Sequence, residues 1–131
     1  MSQVAGSKKI VVTDDDVVMA DLLGFLLRER GHSVFVAKDA DEALRLVLAE
    51  KPDLLVLDLH LPPKDGFVVM EEMRRSSGMN GTRILILSAS EGRQDRRRAE
   101  ELGARAFVVK PFDCEELVRR VDGLLAEGEG G

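Results

Sequence analysis

Cysteine occurs once in the 131 residues, as Cys114, so no intramolecular disulfide can form. No Cys or His stands at metal-ligand spacing from it, and this usage fits a reducing compartment, with the cytoplasm as the expected location. No apolar run approaches the roughly 18–20 residues that a bilayer span requires, and residues 1–7 lack the apolar stretch of a secretory leader. The expectation is a chain that is neither secreted nor inserted in a membrane. An excess of basic residues is also missing: 19 Lys and Arg against 24 Asp and Glu leave a formal charge of −5 and a pI near 5.1. Phosphate contacts need clustered Lys and Arg, so direct nucleic-acid binding is not expected, and any DNA-directed output would need another domain or protein. Internal repeats are absent. The one biased tract is the Glu/Gly tail at 127–131, which reads as flexible, either a frayed terminus or the start of a linker.

What is present suffices for one domain. A content of 44% hydrophobic and 33% charged residues can bury a core and still cover it with solvated side chains, which argues against disorder. Short apolar runs alternate with helical periodicity five times. Residues 9–13 read as a strand and 17–30 as a helix with Met19, Leu22, Leu23, Leu26 and Leu27 on one face, ended by Gly31. A strand at 33–37 precedes a helix at 40–50 that turns Ala43, Leu44, Val47 and Leu48 inward and stops before Pro52. Residues 54–57 are apolar throughout, as in a parallel strand covered on both faces. A helix at 66–75, a polar loop at 76–81, a strand at 84–87, a charged helix at 94–102 ended by Gly103, a strand at 106–109 and a last helix to 126 capped by Asp113 complete the pattern. Right-handed crossovers fold such a chain into a doubly wound α/β sheet, a three-layer sandwich whose strand ends share one edge. Ligands bind at that edge.

The polar residues that the sequence places there are Asp14, Asp15 and Asp16 after the first strand, Asp58 after the third, Ser88 after the fourth and Lys110 after the fifth. Crowded carboxylates repel one another, a cost that a divalent cation removes, and an oxygen-only donor set favours Mg2+. A hydroxyl and an ammonium group suit phosphoryl oxygens. Singly, each residue has a plainer reading: Asp16 is a helix cap, Asp58 a turn residue beside Pro62, Pro63 and Asp65-Gly66, and Lys110 a solvated charge. Joint occurrence after four strands describes a metal-assisted phosphoryl-transfer site.

At this point the chain resembles the receiver-domain family of bacterial response regulators over residues 8–126, with residues 1–7 and 127–131 as flexible termini. The resemblance is carried by Ile10-Val11-Val12-Thr13-Asp14-Asp15, by Leu57-Asp58-Leu59-His60-Leu61-Pro62 with Asp65-Gly66, by Leu87-Ser88-Ala89 and by Phe107-Val108-Val109-Lys110-Pro111-Phe112. It implies a five-stranded parallel sheet of flavodoxin-like order 2-1-3-4-5. It further implies that Asp58 accepts a phosphoryl group from a phosphohistidine, with Asp15, Asp58 and the His60 backbone carbonyl as Mg2+ ligands and Asp14 acting mostly through water. Lys110 would neutralise phosphoryl charge and Ser88 would bond to the phosphoryl group. Movement of Ser88 would then let Phe107 turn inward and alter the face built by the last two helices and the last strand, whereas the plain reading of Phe107 is core packing. The Lys110-Pro111 bond would be cis. Thr13 departs from the usual apolar residue before the acidic pair, and little consequence is expected of it. His60 and Ser90 stand where family side chains tune phosphoryl hydrolysis, His60 as a rim residue rather than a second acceptor.

The implied partners are a sensor histidine kinase or histidine phosphotransfer protein and an output protein or domain that the sequence leaves open. The product is a signalling switch that promotes its own phosphotransfer and dephosphorylation rather than an enzyme acting on other substrates. Arg93, Arg96, Arg97 and Arg98 could pair with Asp113, Glu115 and Glu116 across a phosphorylation-dependent homodimer, or simply form a solvated face. Two rivals remain. One is a haloacid-dehalogenase-type phosphatase using Asp14, since Asp14-Asp15-Asp16-Val17-Val18 fits D-x-D-x-[TV], although no acidic pair follows the lysine and Asp58 goes unexplained. The other is a receiver-like interaction module that works without phosphate.

Overall fold

The computed structural model describes residues 7–76 and 81–127. In chain order the elements are β1 (Lys9–Thr13), α1 (Val17–Glu29), β2 (Ser33–Ala37), α2 (Ala40–Glu50), β3 (Leu54–Asp58), β4 (His60–Leu61), β5 (Lys64–Asp65), α3 (Gly66–Arg75), β6 (Arg83–Ser88), α4 (Arg93–Glu101), β7 (Ala106–Val109) and α5 (Cys114–Ala126). Five strands form one parallel sheet in the order β2-β1-β3-β6-β7, the expected 2-1-3-4-5 once the β4-β5 hairpin is set aside. That hairpin, with His60 opposite Asp65, is the one addition to the expected pattern. The Pro62-Pro63 pair makes its turn, since proline fixes the backbone there.

Alternate strand residues feed two cores. Val11, Leu55, Leu57, Ile84 and Ile86 pack with α2, α3 and Ala99 of α4, while Ile10, Val12, Leu54, Val56, Leu85 and Leu87 pack with α1 and α5. The period of two explains why the central strands are apolar throughout: both faces are covered. Asp side chains cap four of the five helices, Asp16, Asp39, Asp65 and Asp113 accepting backbone N–H groups one turn on. Gly31 and Gly103 take positive φ where α1 and α4 end.

Two inward assignments are corrected. Leu22 and Leu48 are each 42% exposed. The seam of α1 runs through Ala20, Leu23, Gly24 and Leu27, and small residues let the helix lie close enough to the sheet to leave Leu22 off the contact. In α2 the seam is Ala40, Ala43 and Val47, with Leu44 half-buried and Leu48 beyond its rim. Strands β3 and β6 run one residue past their expected ends, to Asp58 and Ser88, and α4 starts one residue early because Gly92 C=O accepts the Arg96 N–H. Residues 77–80 of the expected polar loop lie outside the described residues. So do the expected flexible termini, except Ser7, which donates to Gly31 O, and Glu127, which faces Arg105. Among the described residues, no helix is long and apolar enough to cross a membrane.

Candidate functional site

The sheet order puts the ends of β1, β3, β6 and β7 side by side, so residues far apart in sequence meet. Asp58, the last residue of β3, sits at the centre. Its Oδ2 lies 2.5 Å from Lys110 Nζ, which also reaches Asp14 Oδ1 at 3.1 Å and Asp15 Oδ1 at 3.6 Å. Lys110 is carried there by the end of β7, where its N–H donates to Ser88 O at 2.7 Å, and its bond to Pro111 is cis, as expected. Asp14 and Asp58 are each 1% exposed, and Asp15 stands at the mouth.

The three carboxylates offer one oxygen apiece, all within 4.8 Å of one another. Asp14 Oδ1 accepts from Lys110 and from the Asp16 N–H, whereas Asp14 Oδ2 is buried with no hydrogen-bond partner among the described residues. A buried carboxylate oxygen without a donor is costly, and one lone ammonium cannot balance three carboxylates. This oxygen-only set suits a hard divalent cation.

Titration behaviour follows from the crowding. Burial pushes the Asp14 carboxyl up to about 6, against the lowering effect of the Asp16 N–H and Lys110. Burial also works to raise Asp15, but the hydrogen bond with the Asp14 side chain and the charge of Lys110 prevail, and it sits below its ordinary value. For Lys110, burial favours the neutral amine, yet the contacts with Asp58 and Asp14 hold it above its usual value and therefore charged.

His60, Ser88 and Phe107 border this centre. The His60 N–H donates to Asp58 Oδ1 at 2.8 Å, fixing the carboxylate, while its exposed imidazole lies 3.8 Å from Asp15 Oδ2. Ser88 is 3% exposed, and its hydroxyl is turned into its own loop, donating to Ser90 O and accepting from the Ser90 N–H. Phe107 already lies within the core, and the guanidinium of Arg96 stands 4.9 Å from its ring centroid. Arg98 is likewise engaged, over Phe67 and bonded to Glu71. An open cleft of about 610 Å³ is bordered by Leu59, His60, Ser88 and Ser90, and a second, of about 400 Å³, is lined by Asp14, Ala89 and Lys110.

Two residues matter here beyond what the sequence alone assigns to them. Thr13 is fully buried, and its hydroxyl accepts the Asp58 N–H at 2.9 Å and donates to Val56 O at 3.1 Å. The signal was a hydroxyl in an otherwise apolar strand. Gly66, at the start of α3, packs so tightly that a Cβ there would stand 2.7 Å from Asp58 O.

The model of the response regulator receiver domain family matches residues 10–122. Among solved structures, the receiver domain of Francisella response regulator 1452 is 30% identical, with a TM-score of 0.84 over 93% of this chain and 99% of that one. The non-phosphorylated HemR receiver domain from Leptospira biflexa is 33% identical, with a TM-score of 0.83 over 90% of this chain and 94% of that one. The BeF3-activated N-terminal receiver domain of Klebsiella pneumoniae RstA is 28% identical, with a TM-score of 0.78 over 89% and 97%.

Proposed function

Because the chain belongs to the response-regulator receiver-domain family and is a phosphoacceptor signalling domain, we propose that Asp58 is its acceptor, served by Lys110, Ser88 and a Mg2+ site. The observation that carries this reading is the placement of Asp58: a buried carboxylate held by the His60 N–H on one oxygen and by Lys110 on the other, beside two further carboxylates. Asp14, Asp15 and Asp58, with the His60 carbonyl, would hold Mg2+, which when bound neutralises charge on the phosphoryl oxygens.

The donor is a phosphohistidine of a sensor histidine kinase or a histidine phosphotransfer protein, which the domain meets in the cytoplasm. A carboxylate oxygen of Asp58 attacks phosphorus, the P–N bond breaks, and the departing imidazole nitrogen keeps the electron pair and takes up a proton. Lys110 stays charged throughout and turns from Asp58 Oδ2 to a phosphoryl oxygen, so its contribution is electrostatic. Ser88 must release the Ser90 carbonyl to donate to the phosphoryl group, and this exchange of hydrogen bonds links the chemistry to the loop before α4. With Phe107 and Arg96 in contact, a shift of that loop is passed to the face of α4, β7 and α5, where an output protein or domain reads it. Attack of water on the aspartyl phosphate resets the switch within the same site.

Acetyl phosphate with Mg2+ tests the assignment. Incorporation should vanish in Asp58→Asn, whereas Asp14→Asn should keep a slower, metal-weakened reaction. Label that survives in Asp58→Asn and disappears in Asp14→Asn would instead favour Asp14 as nucleophile.

A further inference from the structure

We propose that the Thr13 hydroxyl is a positioning group for phosphoryl transfer, setting where Asp58 stands by holding its main-chain amide. This rests on the reading of Asp58 as the acceptor. The Thr13 hydroxyl bonds to main-chain atoms of β3 and to no carboxylate of the site, so it acts through the Asp58 main chain.

The argument starts from the edge of the sheet. Backbone pairing of β1 with β3 runs from Ile10–Leu54 to Val12–Val56 and stops there. Pairing of β3 with β6 continues to Asp58–Leu87, so Asp58 is anchored on its β6 side by the ladder and on its β1 side by something else. That something is the Thr13 side chain. Its Oγ1 accepts the Asp58 N–H at 2.9 Å and donates to Val56 O at 3.1 Å, so the amide left over beyond the last pair of the ladder is satisfied by this hydroxyl. Thr13 and Asp58 are 0% and 1% exposed, which leaves no route for solvent to replace the bond. A buried amide without a partner is rare in folded proteins because its lost hydration is not repaid.

Geometry makes the bond matter for reaction. The Asp58 carboxylate is fixed by His60 N–H and Lys110, but these act on the side chain; the main chain from which it projects is fixed by Thr13. A valine at 13 has nearly the shape of threonine and no hydroxyl, so it is not a neutral exchange in a buried site. The Asp58 amide would then have to close on the backbone of β1, drawing the carboxylate away from Lys110. In-line transfer tolerates little of this: a misplacement of about 1 Å can slow a reaction by about two orders of magnitude.

The test uses the full chain with acetyl phosphate and Mg2+, both saturating, and compares the wild type with Thr13→Val and Thr13→Ser at a temperature where all are folded by circular dichroism. Serine keeps the hydroxyl and loses the methyl; valine does the reverse. Thr13→Val is expected to lower the phosphorylation rate constant about tenfold, and Thr13→Ser to stay within about twofold of the wild type. The Asp58 amide should exchange with deuterium faster in Thr13→Val only. A merely structural threonine would lower the unfolding midpoint and leave the rate constant of the folded protein unchanged. If valine prevents folding, Thr13→Ala against Thr13→Ser isolates the hydroxyl, since both lack the methyl. Equal rate constants for the hydroxyl-bearing and hydroxyl-free variants would overturn the inference while leaving Asp58 as acceptor. A wild type that takes no label on Asp58 would overturn the reading beneath it, and the positioning role with it.

Discussion

Replacing Gly66 by alanine sets two effects of similar size against each other at the back of the site. In a helix alanine is favoured over glycine by about 0.8–1 kcal/mol, and it also restricts the unfolded chain. Against this, the added Cβ would meet Asp58 O at 2.7 Å, Leu59 Cα at 3.0 Å and Leu59 Cδ2 at 3.2 Å, where ordinary contact begins at 3.4 Å. Two of the three are backbone atoms that cannot rotate aside, and their segment is tied on both flanks, by Asp58 N–H to Thr13 and by Leu59 N–H to Leu87 O at 3.0 Å. Overpacking of this kind costs about 1–3 kcal/mol, more than the propensity returns at a first-turn position. The expected outcome of Gly66→Ala is a net loss of about 1 kcal/mol in urea denaturation, together with an about tenfold slower reaction with acetyl phosphate as Asp58 is displaced. Gly123 in α5 is the control. Nothing lies within 4 Å of a Cβ there, so Gly123→Ala should stabilise and leave labelling unchanged. A Gly66→Ala protein as stable and as reactive as Gly123→Ala would refute the packing argument.

Further outcomes follow from the same geometry. Since the Asp14 carboxyl is pushed up to about 6, protons should compete with Mg2+ below that pH, and the apparent affinity in calorimetry should fall by up to about tenfold per unit; an affinity flat from pH 7 to 5 would count against it. In the metal-free protein the sign is opposite to that of a salt-bridged carboxylate. Folded Asp14 holds its proton up to about 6 while the unfolded chain releases it near 3.8, so this group's contribution is present at low pH and lost as pH rises through that window. Asp14→Asn should therefore stabilise the metal-free fold at pH 7 by something on the order of 2 kcal/mol and reduce the stabilisation by Mg2+, both read from thermal melts with and without the ion. Removing the guanidinium above Phe107 with Arg96→Ala should cost about 0.5–1 kcal/mol and raise hydrogen exchange in α4, whose only buried residue is Ala99; unchanged exchange would show that the stack does not hold the helix.

Much of this protein is legible in its sequence because the sheet is buried on both faces. Runs such as Leu54 to Leu57 can hardly be anything but inner strands, and the Asp caps at Asp16 and Asp113 mark helix starts by their own chemistry. The site was readable for a related reason: a doubly wound sheet sends the ends of its strands to one edge, so Asp14, Asp58 and Lys110 could be brought together without coordinates. What escaped depends on distances that no periodicity encodes. Leu22 and Leu48 are apolar at near-helical spacing, and only the close approach of Ala20, Gly24 and Ala43 to the sheet decides that they face outward. From the sequence Thr13 is a departure of little consequence, since nothing in one strand tells that pairing with its neighbour ends a residue earlier and needs a hydroxyl there. The state of Ser88 and Phe107 is likewise a matter of partners, Ser90 in one case and Arg96 in the other.

Chemical trapping of the acyl phosphate is the most direct measurement of the central claim. The protein is incubated with acetyl phosphate and Mg2+, reduced with borohydride, which converts a phosphorylated aspartate to homoserine, and mapped by peptide mass spectrometry. Homoserine at position 58, dependent on Mg2+ and absent at 14 and 15, is the expected result. Homoserine at position 14, or no conversion at 58 under conditions where Mg2+ binding is saturated, would contradict it.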